Sequence, residues 1–225
     1  MLLALLRSPR RGAAAALASG RLSVAVMLIV LSTAVAAVSA ARFAGDVPVG
    51  GILYGDTRSP AIAALIDVLG RDRAAIVGYL IEQAWTAVIV VTAFSPLLVW
   101  ILGATAVHAA ARLDGLRRPF RPILVLFGYA TALTRIPADG AAALLGSGRS
   151  AAAPIAQLIG TACLVWLAVI VWRGIEAHYG LAGVRALVVL AIAVVVFYVV
   201  PLVLIIVAVF AILIAAVVLE YVPGL

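Results

Sequence analysis

The sequence predicts an all-α fold: a polytopic bundle of transmembrane helices with five or six spans. Three observations carry this. Residues 186–219 hold no charged side chain, and only Tyr198 and Pro201 interrupt the aliphatic and Phe run. As a helix that run is roughly 50 Å long, against a bilayer core of about 30 Å. The chain as a whole is 67% hydrophobic and 11% charged, where a soluble domain carries about 25% charge. Finally, the arginines gather at the flanks of apolar runs, where they anchor helices and meet anionic lipid.

All 16 basic residues are Arg, against 9 acidic ones, a composition that points to a GC-rich, prokaryotic coding genome. Nucleic acid is not an expected partner, because the arginines flank apolar runs and do not form a separate basic domain.

Residues 1–21 place Arg7, Arg10 and Arg11 among apolar side chains, with Pro9 as a breaker. They read as an amphipathic segment on the membrane surface. Residues 22–41 form the first span. Its small-residue tail, Ala36 to Ala41, also suits a signal-peptidase site, so cleavage of residues 1–41 is an alternative; the ~20-residue apolar run is long for a signal peptide.

Residues 42–82 are the main non-spanning segment, an extracytoplasmic loop. Gly45, Pro48, Gly50, Gly51, Gly55 and Pro60 mark irregular structure, and 61–69 suits a short interfacial helix. Asp72 reads as the N-cap of the next helix. The second span covers about 83–106, with a kink expected at Pro96. The third covers about 122–145 and is interrupted by Thr-Arg-Ile-Pro-Ala-Asp-Gly at 134–140. The fourth covers about 155–172. A single helix through the last run would overshoot the bilayer by about 20 Å, so division at Pro201 into two short spans is preferred, giving six.

The segments at 7–21, 112–121 and 173–185 are Arg-rich and separated by two spans each. By the positive-inside rule they face the cytoplasm, with the N-terminus, and the expected location is the cell membrane.

Candidate site residues are few. Arg135 and Asp139 lie four apart, on one face of a helix, inside an apolar run where unpaired charge is costly. They read as a structural ion pair beside the Pro137–Gly140 break, or as a polar site inside the bundle. Glu82 opens the second span and is either interfacial or a partner for Arg135. His108 and His178 read as an uncoordinated interfacial pair in preference to a metal pair. Trp85, Trp100, Trp166 and Trp172 suit an aromatic belt. Cys163 is the single cysteine, which leaves no internal disulfide. Phosphate loops, nucleophile elbows and HExxH are absent. No enzyme, cofactor or metal is expected.

Three stretches resemble the Yip domain family (Ypt/Rab-interacting protein, Yip-one). One is 108–137, with Gly115, Phe120, Gly128-Tyr129-Ala130 and Pro137. Another is the Trp-containing fourth span leading into His178-Tyr179-Gly180-Leu181. The third is Gly183-Val184-Arg185-Ala186. The resemblance covers about 80–200, so that 83–225 reads as a Yip-like bundle. It departs after Pro201, since the family usually has five spans. It implies a multi-pass membrane protein without known catalytic residues. Eukaryotic relatives act in trafficking and membrane shaping and contact Rab GTPases; this chain has almost no cytoplasmic domain for such a partner. Gly128 permits close helix approach, and the Tyr129 hydroxyl can cap or bond a neighbouring helix.

The expected function is a non-enzymatic role in membrane organisation or scaffolding. Its partners are the bilayer and other membrane proteins or further copies of the chain. The alternative is a small transporter or channel subunit, with Arg135 and Asp139 lining a polar path through a discontinuous helix. A third reading is a signal-peptide-bearing subunit of a larger complex.

Overall fold

The structure, a computed structural model, describes residues 1–46, 49, 68, 71–146 and 151–221. Seven helices lie among these residues: α1 (Leu2–Arg7), α2 (Pro9–Ser19), α3 (Leu22–Asp46), α4 (Arg71–Leu113), α5 (Phe120–Leu145), α6 (Ala153–Tyr179) and α7 (Gly183–Tyr221). The expected helix at 61–69 lies outside the described residues.

Four helices are long and apolar enough to cross a membrane: Leu22–Asp46, Ala75–Leu113, Ala153–Tyr179 and Gly183–Val203. Helix α5 is not among them, because Arg135 and Asp139 dilute its apolar character. It is nevertheless the most enclosed helix. Residues 125–132 are buried without interruption, and α3, α4 and α6 all pack on it. A helix covered by other helices needs less hydrophobicity than one covered by lipid.

Close contacts fix the helix directions. Gly128 of α5 meets Ala25 of α3, and Arg42 donates to the Ala143 carbonyl at 2.7 Å. Both numbers rise together, so α3 and α5 run parallel. Gly103 meets Phe127 and Gly174 meets Leu126, while Ser95 meets Arg135 and His178 meets Pro119. Helices α4 and α6 therefore run antiparallel to α5. This is the alternation that successive membrane crossings require.

Small residues occupy the helix interfaces. Ala104, Ala106, Ala110, Ala111, Ala130 and Ala193 are buried, whereas Met27, Val30, Val91, Phe94, Leu158 and Leu164 point outward. Lipid is as apolar as Leu, so large side chains gain nothing by turning inward, and close backbone approach favours Ala and Gly.

Several sequence expectations are corrected. The third span is not interrupted: α5 is continuous through Pro137. Helix α4 begins at Arg71, which puts Asp72 inside the helix; Pro96 lies within it, and a kink there is compatible with a continuous helix. Nor does Pro201 break the last run, since α7 is one helix of 39 residues, roughly 58 Å. A proline removes one backbone hydrogen bond, and a membrane helix continues through it where neighbouring helices, side chains or local backbone adjustment re-satisfy the freed groups. The first span extends to Asp46, and the fourth reaches Tyr179.

The N-terminal segment is a helical hairpin packed into the bundle. Ser8 and Pro9 separate α1 from α2, with Pro9 at the start of the second helix. Gly12 lets the helices close up, because a Cβ there would land on the backbone of Leu5. Leu5 is fully buried in a cluster with Ala13, Ala16, Val125, Leu126, Tyr129 and Ile170.

Candidate functional site

Arg135 and Asp139 are a charged pair in the C-terminal half of α5. Arg135 Nη2 lies 3.2 Å from Asp139 Oδ1, with side-chain exposures of 30% and 12%. The same amino group donates to Ser95 Oγ on α4. Arg135 is about 22 Å along α5 and Asp139 about 28 Å. Helix α3 flanks α5 as far as the Arg42–Ala143 bond, so the pair lies within the packed length of the bundle.

The pair is incompletely satisfied. Among the described residues, Arg135 Nε and Asp139 Oδ2 are buried without a hydrogen-bond partner, as are Ser32 Oγ, Thr131 Oγ1 and Trp166 Nε1. A buried polar atom left unpaired costs about 1–3 kcal/mol. One donor and one acceptor held in a single pair can accommodate a polar guest, but also a water molecule.

The other candidate residues are not drawn to this pair. Glu82 is partly exposed near the start of α4, and among the described residues its side chain has no ion-pair partner. Tyr129 is 5% exposed and packs in the apolar cluster with Leu5 and Ile170. Among the described residues its hydroxyl makes no hydrogen bond to a neighbouring helix. Pro137 is an exposed position of α5. Ser95 was not legible as a site residue; it is 40 residues from Arg135 in sequence.

The tryptophans do not all form a belt. Trp100 is 8% exposed and donates from Nε1 to the Leu124 carbonyl at 2.7 Å, tying α4 to α5. Trp172 donates to the Gly183 carbonyl at 2.9 Å and so fixes the α6–α7 turn. Trp85 packs against Phe43, with ring centroids 5.3 Å apart.

The two histidines meet at the other end of the bundle. His108 Nδ1 lies 3.2 Å from Tyr179 Oη, and His178 Nε2 lies 3.1 Å from the Pro119 carbonyl. His178 is also edge-on to Tyr179 at 4.7 Å. This cluster joins α4, α5 and α6. Among the described residues no group of His, Cys, Asp and Glu is arranged to hold a metal.

That same end collects Arg10, Arg11, Arg21, Arg112, Arg117, Arg118, Arg121, Arg173 and Arg185 from five helices and their turns. Asp114 binds Arg185 through two contacts, at 3.0 and 3.3 Å. Glu176 binds Arg173 at 2.8 Å. The remaining arginines of this end have no acidic partner among the described residues.

The bundle, its small-residue interfaces and its one strongly basic end define an integral membrane protein with several spans. The chain matches the Yip1 domain over residues 3–205 and belongs to that family. The match takes in the N-terminal hairpin, which the sequence motifs did not reach. It ends just past Pro201, where the sequence departs from the family pattern. No curated protein and no solved structure matches the chain.

Proposed function

We propose that the protein organises the bilayer it occupies, as a non-enzymatic bundle that wedges one leaflet open at its Arg-rich end. The observation that carries this is the N-terminal hairpin. Leu5 of α1 shares a buried cluster with Val125, Leu126, Tyr129 and Ala130 of α5, about 7–15 Å along that helix from its start, and the two helices are in contact. Leu3 and Leu6 are 67% and 51% exposed on the outer face of α1. Helix α1 is thus apolar outside and docked inside, at acyl-chain depth in one leaflet only. An inserted short helix adds cross-section to that leaflet.

The Arg-rich end faces the cytoplasm, since retained arginines mark the cytoplasmic side. The N-terminus lies there, the connection between α3 and α4 lies outside, and the membrane is the cell membrane. The partners are lipid and other membrane proteins, including further copies of the chain.

Reconstitution into liposomes tests the reading. The intact chain is expected to reduce vesicle diameter or loosen lipid packing, and Leu3→Asp/Leu6→Asp to abolish the effect while the bundle stays folded. Unchanged vesicles with the intact chain would refute it. The transporter reading keeps one supporting observation, the unpaired Asp139 Oδ2; the discontinuous helix that motivated it is absent from α5.

A further inference from the structure

A cleft of about 480 Å³ opens at the Arg-rich end, lined by Arg10 and Ala14 of α2, Arg173, Glu176 and Ala177 of α6, and the 180–183 turn. We infer that this cleft is a site for the phosphodiester headgroup of an anionic phospholipid.

The charges of the cleft point to an anion. Two guanidiniums face one carboxylate. Arg173 spends Nη1 on Glu176 and stacks on the Trp172 ring at 3.9 Å. Among the described residues the rest of its fork makes no hydrogen bond, so the stacked, pre-oriented group keeps donors for a second acceptor. Arg10 is exposed, with no acidic partner among the described residues. The cleft also includes Gly183, the first residue of α7, whose first turn carries no acidic side chain. Among the described residues the N–H groups of that first turn make no side-chain hydrogen bond, and they add partial positive charge beside the Glu176 carboxylate. A net charge near +1 suits a singly charged phosphodiester, and planar Arg forks suit its oxygens.

Position selects lipid over a soluble phosphate. Arg10 sits one turn beyond α1, the helix whose outer Leu face lies at acyl depth, and the cleft walls include Ala14, Ala177 and Leu181. A headgroup held by Arg10 and Arg173 leaves its acyl chains along α1. The site therefore ties the hairpin to α6 and α7 through the lipid. The inference rests on the proposed placement of the Arg-rich end at a lipid surface, but not on any change of vesicle shape.

Native mass spectrometry of the detergent-purified full chain tests it, with phosphatidylglycerol, phosphatidylcholine and inorganic phosphate as probes. One phosphatidylglycerol is expected to be retained in preference to phosphatidylcholine. Arg10→Gln and Arg173→Gln should each weaken retention about fivefold, the equivalent of about 1 kcal/mol per Arg at a membrane surface. Arg118→Gln, outside the cleft, should leave it unchanged. Equal losses for Arg118→Gln and Arg10→Gln would overturn the site in favour of diffuse attraction. Displacement of the lipid by equimolar inorganic phosphate would assign the cleft to a soluble anion instead. If Arg173→Gln fails to fold, Arg10→Gln decides alone, since Arg10 is exposed. Retained lipid with unchanged vesicles would overturn the wedge and leave the cleft standing.

Discussion

Adding one methyl group to helix α5 should have opposite effects at its two interior glycines, Gly128 and Gly140. A Cβ at Gly128 would lie 2.7 Å from the Ala25 Cβ and 3.2 Å from Trp100 Nε1. Carbon atoms prefer about 3.5–4.0 Å, so α3 and α5 must separate by about 1 Å or bend. Overpacking of this kind costs about 1–3 kcal/mol. Replacing Gly by Ala within a helix returns about 0.8–1.0 kcal/mol, which leaves Gly128→Ala destabilised by about 0–2 kcal/mol. At Gly140 a Cβ would meet nothing within 4 Å, so Gly140→Ala should be more stable than the parent by up to about 1 kcal/mol. The two variants should differ by about 1–3 kcal/mol in denaturation by SDS from mixed micelles. Gly128→Ala matching or exceeding Gly140→Ala would refute the close α3–α5 contact.

Arg135→Ala leaves Asp139 without its cation inside the bundle. The pair is partly exposed, so the loss should be about 1–3 kcal/mol, below the 3–5 of a fully buried pair. Arg135→Ala/Asp139→Ala should recover part of it; an additive cycle by thermal denaturation in detergent would show that the pair is not coupled. Trp100→Phe removes the bond to the Leu124 carbonyl, which keeps its place in the helix ladder of α5, and should cost about 0.5–1.5 kcal/mol in the same assay; no loss would mean that the bond is not made. In a Cys163→Ala background, Asp56→Cys should react with an impermeant maleimide outside intact cells, and Leu116→Cys only after lysis. The reverse pattern would invert the proposed orientation.

What the sequence revealed depended on how local the signal was. Apolar runs bounded by Arg located the helices, and Gly128-Tyr129-Ala130 singled out the helix that proves central. Proline misled at 137 and 201, because whether a proline ends a helix depends on its tertiary surroundings, which the sequence does not display. Residues 1–21 read as a surface segment because Arg7, Arg10 and Arg11 dominate their pattern. The signals for docking were there in Ser8-Pro9, Gly12 and the run Ala13 to Ala16, all of which favour a tight hairpin against another helix. Arg135 and Asp139 pair as their spacing implies. Ser95, the His108–Tyr179 contact and the Arg10–Arg173 cleft join residues 40, 71 and 163 positions apart, and periodicity along one helix carries no information about them.

The most direct test of the wedge is the depth of α1. A fluorophore on Leu3→Cys or Leu6→Cys, again with Cys163→Ala, would be challenged in liposomes with acyl-chain-brominated lipid and with aqueous iodide. Strong quenching by bromine and weak quenching by iodide at both positions is the predicted result. Strong iodide quenching with no bromine effect would place α1 in water, and the proposed leaflet wedge would be contradicted.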